Sequence, residues 1–199
     1  MRIIDILENE KRIRAYDFYD DFIKSSYFDM LKDSYDRLNY DILFKSHIHG
    51  RDHIERVILF VHILGFHYGL DDADMDVLRN AASLHDTRRV NDGWDTEHGM
   101  RAAKESIEYS YADPKDKRIL QAVIAAHAKD DKIMDEVIKG FINKDDDFDR
   151  AMRLAKFFKD SDGLDRVRIN HLDPAYLRND YSKNLVDFAY ELFNSYKLD

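Results

Sequence analysis

Apolar side chains recur at three- and four-residue intervals along most of this chain, the spacing of a half-buried helix rather than the alternation of a strand. Residues 7–27 and 27–44 carry apolar and aromatic side chains at mixed spacings and predict two long helices. Residues 52–68 are apolar nearly all round and predict a buried helix stopped by Gly69. Residues 72–85 place Met75, Leu78, Ala82 and His85 on one face. Residues 96–111 predict a helix with Asp95 as N-cap, and Pro114 suits the first turn of the next, running through Ile119, Val123, Ile124 and His127. Three more helices are expected over 131–142, over 146–160 with Phe148, Met152, Ala155 and Phe158 inward, and over 181–196. Seven Gly and two Pro in 199 residues leave few breakers. The expectation is an all-α, single-domain compact helical bundle over residues 1–199.

Charge and composition narrow the function. Lys and Arg number 31 against 40 Asp and Glu, a net −9. With no basic block, nucleic acid is a disfavoured partner, because phosphate neutralisation dominates that affinity. The absence of Cys removes thiolate metal sites and cysteine nucleophiles. The N-terminal residues hold no signal-like apolar run. The longest apolar stretch, 57–68, contains two His and a Gly and falls short of the ~20 residues of a membrane span. A cytoplasmic protein with no membrane segment is expected, with a homo-oligomer left open.

The positions of the histidines carry the chemical signal. His85 precedes Asp86 at the end of the apolar run NAASLHD. A carboxylate there is costly to desolvate unless it is paired or holds a cation. Imidazole with carboxylate suits Mn, Fe, Co, Ni or Zn, whereas carboxylate alone suggests Mg or Ca. His53, His98, His127, Asp160 and Asp162 all fall near expected helix ends, and a bundle can gather such ends into one metal site. His49 lies four residues before His53, as a further contributor or as a residue fixing the entry to the helix. His62 and His67 lie too far round or along the helix to join His53; His47 and His171 read as surface residues.

In chain order, His53, His85–Asp86, His98, His127 and Asp162 give the pattern H…HD…H…H…D. This resembles the HD-domain superfamily of metal-dependent phosphohydrolases. The stretches HGRDHIERV, LHDTRRVNDGWDTEHGMRAA, AAH and DSDGLDRVR look like one sub-group of small bacterial HD-domain proteins, with HGxxHxxRV, HDxxRxNDGxDxxHGxRAA and DxDxLDRxR. The likeness spans about residues 46–168, so the HD core is expected there, with 1–45 and 170–199 unmatched.

The resemblance implies a first divalent cation held by His53, His85, Asp86 and Asp162, with Asp160 as the fallback for the last. It implies a second cation, bridged by Asp86, on His98 and His127. Such cations would activate water near neutral pH, and Asp165 would orient that water or a ligand, or else pair with Arg168. Arg89 matches the family's HDxxR position; Arg88, Arg101 and Arg166 are further candidates for the phosphate, since guanidinium meets phosphate oxygens bidentately. Asn91, Asp92 and Asp95 are expected to form a tight loop, with Trp94 as a wall for a ring. The activity implied is hydrolysis of a phosphate ester or anhydride of a small metabolite or nucleotide, with Asp86, Arg89 and Asp165 in catalytic roles. The alternatives are a phosphodiesterase or nuclease, a non-catalytic metal- or nucleotide-binding regulator, and di-iron oxygenase chemistry on the same ligands.

Overall fold

The computed structural model describes residues 2–142 and 145–197. They form an all-α fold, and no strand occurs among them. The helices are α1 (Arg2–Asn9), α2 (Tyr19–Phe22), α3 (Ser26–Asp36), α4 (Arg51–Tyr68), α5 (Asp72–Leu84), α6 (His98–Glu105), α7 (Lys117–His127), α8 (Met134–Lys139), α9 (Asp145–Leu164), α10 (Asp180–Asn184) and α11 (Val186–Lys197). Helix α9 continues directly into a five-residue 3-10 helix, Asp165–Ile169.

Helix α4 is the axle. Every residue from His53 to Gly65 is buried, so both its faces need partners, and it finds them in α3, α5 and α9. Gly69 ends it with φ 61°, ψ 42°, a left-handed conformation that glycine adopts without Cβ strain. Leu70 N–H then reaches back to Gly65 O at 3.0 Å, a Schellman closure. Around α4, helix α7 packs on α5, α6 and α9, and α9 on α4, α5 and α7. The N-terminal helices and α11 cover the opposite side: Phe188 of α11 meets Tyr16, Phe18 and Phe60 edge-on, with centroids 5.1, 5.1 and 6.1 Å apart.

Buried ion pairs lock this frame. Arg150 on α9 donates to Asp74 of α5 and to Asp116 just before α7, each at 2.6 Å. Arg79 on α5 reaches Asp33 of α3 at 2.7 Å. Asp74 and Asp116 are buried, so removing Arg150 leaves desolvated charges, whereas Asp33 keeps 40% of its side chain exposed.

Several expected boundaries shift. The expected helix over 7–27 divides into α1, a 3-10 turn Ile13–Ala15 and α2. Tyr16 turns extended there, which lets Tyr16 and Phe18 both reach Phe188. The one over 27–44 ends at Asp36, and Asn39 caps the following turn through Asp41 N–H at 3.1 Å. That over 96–111 starts at His98 and stops at Glu105. Asp95 is not its N-cap: its carboxylate takes Val90 N–H and Arg101 instead. The helix expected over 131–142 shrinks to α8 behind a 3-10 turn Asp131–Ile133. Helix α9 outruns the expected 146–160 and carries Asp160 and Asp162 within it. The last helix breaks at Leu185 into α10 and α11.

His62, inside α4, is fully buried, with Nδ1 on Ile58 O at 2.8 Å and Nε2 3.2 Å from Ser34 Oγ. Burial lowers its pKa to about 4. The unfolded chain therefore takes up the proton first, so this stabilising contribution is complete above pH ~6.5 and fades as pH falls towards 4. Between pH 7.5 and 5 His62 should remove roughly 2 kcal/mol of stability. Urea unfolding of the native chain and of His62→Gln at both pH values checks this. The variant should lose less on acidification; parallel losses would show that His62 is not held neutral.

Candidate metal centre

Five helix ends deliver the polar residues to one place. His53 lies in the first turn of α4, His85 caps the C-terminus of α5 and Asp86 follows it. His98 opens α6, His127 closes α7, and Asp162 sits in the last turn of α9. Close packing at this end depends on Gly99: a Cβ there would lie 2.8 Å from Ile124 O and 2.9 Å from His127 Cε1.

Asp86 is the hub. Its Oδ2 lies 3.5 Å from His53 Nε2, 3.8 Å from His85 Nε2 and 3.1 Å from His49 Nδ1. Asp162 Oδ1 is 3.4 Å and 4.0 Å from the nitrogens of His53 and His85, which are themselves 3.1 Å apart. On the other side, Asp86 Oδ1 lies 3.0 Å from His98 Nε2 and 3.9 Å from His127 Nε2, with these two nitrogens 2.8 Å apart. For ligand bonds of ~2.1 Å, donors around one cation sit ~3.0–3.4 Å apart, close to the spacings seen.

The tautomers make the arrangement informative. His53 Nδ1 donates to Asp165 Oδ2 at 2.7 Å and His85 Nδ1 to Ala82 O at 3.0 Å. His127 Nδ1 donates to Ile124 O at 2.5 Å and His98 Nδ1 to Asp95 O. An acceptor at each Nδ1 leaves each neutral ring with a bare Nε2 lone pair. The lone pairs of His53 and His85 thus face each other, and so do those of His98 and His127. Facing lone pairs repel unless positive charge lies between them, and an outward acceptor on the far ring nitrogen is the usual support of a metal-bound histidine. The buried group formed by His49, His53, His85 and Asp86 can hold a metal ion.

Protonation agrees with that role. Burial lowers the pKa of His85 to about 3, and it lowers those of His53 and His127 too, so these rings are neutral near pH 7. Burial alone would raise the Asp86 carboxyl, but His85, His127, His49 and His98 hold it well below the usual range. Asp162 is likewise opposed by burial yet held low by His53, Arg168, His85 and His127. Its side chain keeps 24% of its surface exposed, against 3% for Asp86, so the centre meets solvent beside Asp162.

The other sequence candidates divide. Asp160 is fully buried but accepts from Arg178 N–H, Asn179 N–H and Asn179 Nδ2 at 2.7–3.0 Å, pinning the C-terminal segment; it is not beside the histidines. Asp165 is neither on the surface nor open to water: it is fully buried behind His53, bound to Arg56 and within 3.6 Å of Arg168. It positions an imidazole rather than a water. Arg89 touches Asp86 Oδ1 at 3.0 Å. Arg88 is drawn to Glu105 O, and exposed Arg166 to His171 O. Arg101 holds Asp95, the residue whose carbonyl orients His98. Two contributors were weakly signalled. His49 precedes α4 yet reaches Asp86, and only its spacing from His53 hinted at this. Arg168 binds Ile48 O, Asp165 O and His49; the sequence marked it only as the end of DSDGLDRVR and a partner for Asp165, not as the tie to His49.

No family model matches the chain, and comparison with curated proteins and with solved structures likewise gives no match.

Replacing Asp165 with Asn removes the buried charge that holds His53 and pairs with Arg56 and Arg168. Asp165→Asn should lower metal affinity roughly 10- to 100-fold and destabilise the fold by about 3 kcal/mol. Equilibrium dialysis with Mn and denaturant titration measure both; an unchanged affinity would remove the positioning role.

Proposed function

We propose that this chain is a metal-dependent phosphohydrolase of the HD-domain type, acting on a phosphate ester or anhydride of a small metabolite or nucleotide. The observation that carries the reading is the pairing of bare Nε2 lone pairs on opposite oxygens of one buried carboxylate: His53 with His85 on Oδ2, and His98 with His127 on Oδ1. His53, His85, Asp86 and Asp162 would hold one divalent cation, and His98, His127 and Asp86 a second. When bound, such cations supply Lewis acidity that brings the pKa of water towards ~7 and balances charge on a transferring phosphoryl group. The order of H…HD…H…H…D along the sequence supports the family assignment.

The chain's own residues then have separable tasks. Asp86 orders the two halves of the centre. Arg89, beside Asp86 Oδ1 and only 10% exposed in its side chain, supplies a guanidinium where a phosphoryl oxygen would arrive. Asp165 and the Nδ1 acceptors keep the imidazoles aimed. Exposure beside Asp162 admits water and substrate. An acidic chain of net −9 favours a small phosphorylated substrate over a long polyanion.

Elemental analysis of the purified protein, with hydrolysis assays on nucleotides and phosphate esters in Mn, Co, Ni or Mg, tests the reading. Two equivalents of metal are expected, with turnover abolished by chelation. Asp86→Asn should lose both metals and fall to background turnover, and His98→Ala should lose one equivalent only. Retention of metal by Asp86→Asn, or turnover that survives chelation, would overturn the assignment.

A further inference from the structure

On α9, about one helical turn before Asp162, sits a buried cation. Lys159 keeps only 5% of its side chain exposed. An ammonium has three protons to give, and three acceptors meet it: Ala126 O at 3.3 Å, Lys129 O, and Asp131 Oδ1 at 2.8 Å. Ala126 and Lys129 stand on either side of His127, the last residue of α7. Lys159 thus staples the chain just before and just after that imidazole, where the helix's own hydrogen bonding runs out.

The staple reaches both imidazoles of one half of the centre. Lys129 Nζ bonds Glu97, the residue before His98, so the turn that Lys159 fixes also carries a tether to the start of α6. Asp131 is held in turn by Arg178, whose guanidinium meets the same oxygen at 2.8 Å and Asp160 at 3.2 Å. His53 and His85 rest on other supports, Asp165 and Ala82 O. A buried lysine is a costly way to fill space, since a well-packed apolar side chain of similar volume is often neutral or stabilising in place of a buried ion pair. Nor does its charge help a cation to bind. Asp162 lies three residues further along α9, on the same face, so positive charge at Lys159 opposes metal there by Coulomb repulsion. What the ammonium supplies is geometry.

We infer that Lys159 is a positioning residue for the His98–His127 half of the centre: by binding the carbonyls on either side of His127 it sets the affinity for the second cation and leaves the first alone. This rests on the two-cation reading for what the imidazoles hold, whereas the fixing of His127 itself needs no metal. The two halves are then tuned separately, the first through Asp165 and the second through Lys159.

Stepwise titration of the intact, chelated chain with Mn or Co, together with imidazole nitrogen NMR of the metal-free protein, tests this. Lys159→Met fills the space without an ammonium and leaves Asp131 paired with Arg178. It should weaken the second cation roughly 10- to 100-fold and change the first less than two-fold, the first being read alone in the His98→Ala background. In the metal-free spectra His127 should pass from a fixed Nδ1–H tautomer to an average of both forms, with His53 unmoved. The sign is diagnostic, because loss of the positive charge alone would tighten both cations. Asp131→Asn, at a side chain 48% exposed, takes the carboxylate from Lys159 and should weaken the second cation several-fold and the first less than two-fold. Equal weakening of both cations, a second cation unchanged or tighter, or a His127 signal that stays fixed would overturn the positioning role. Should Lys159→Met fail to fold, Asp131→Asn decides by the same readings. Fewer than two equivalents of metal in the native chain sinks the two-cation reading alone, and the His127 spectrum then decides the role of Lys159.

Discussion

One buried carboxylate organises this molecule. Asp86, 2% exposed, presents each of its oxygens to a pair of imidazole nitrogens contributed by different helices. Burying a charged carboxylate costs several kcal/mol unless neighbours replace its lost water. Arg89 Nε donates to Oδ1 at 3.0 Å, and His49, His53, His85, His98 and His127 crowd the two oxygens with ring nitrogens. Burial keeps the rings of His53, His85 and His127 neutral, so their Nε2 atoms offer lone pairs rather than positive charge. The mutual aim of those lone pairs is what sets the centre apart from an ordinary buried ion pair.

Such an aim has to be enforced from outside. The Nδ1 acceptors are mostly backbone carbonyls near helix ends, Ala82, Ile124 and Asp95, so secondary structure itself fixes three of the rings. The fourth, His53, depends on Asp165, which Arg56 and Arg168 hold in turn. Arg168 also ties the turn at Ile48 and His49 to the end of α9. The ion pairs of Arg150 with Asp74 and Asp116 brace the same helices away from the centre. Rigid ends on a braced frame keep ligand geometry within the narrow tolerance that a metal site needs.

Charge is distributed unevenly around this core. Although the chain carries net −9, two cations stand at the buried cluster: Arg89 on Asp86 Oδ1 and Arg168 on His49. No helix among the described residues is long and apolar enough to cross a membrane.

Much of this was legible along the chain. Hydropathy periods marked α4, α5 and α7 and their inward faces, because a helix that buries a stripe must repeat it every three to four residues. The dipeptide His85–Asp86 at an apolar helix end announced a charge that needed partners, and chain order marked out His53, His98, His127 and Asp162. Local pattern misled where tertiary contacts outweighed it. The expected helix over 7–27 breaks so that Tyr16 and Phe18 can both meet Phe188, and Asp95 leaves the cap position to bind Arg101. Only the fold could choose Asp162 over Asp160, since two carboxylates two residues apart on α9 face different directions. Only the fold could recruit His49 and Arg168 or turn Asp165 inward behind His53, because such contacts join residues more than a hundred positions apart, a distance across which no periodicity carries information.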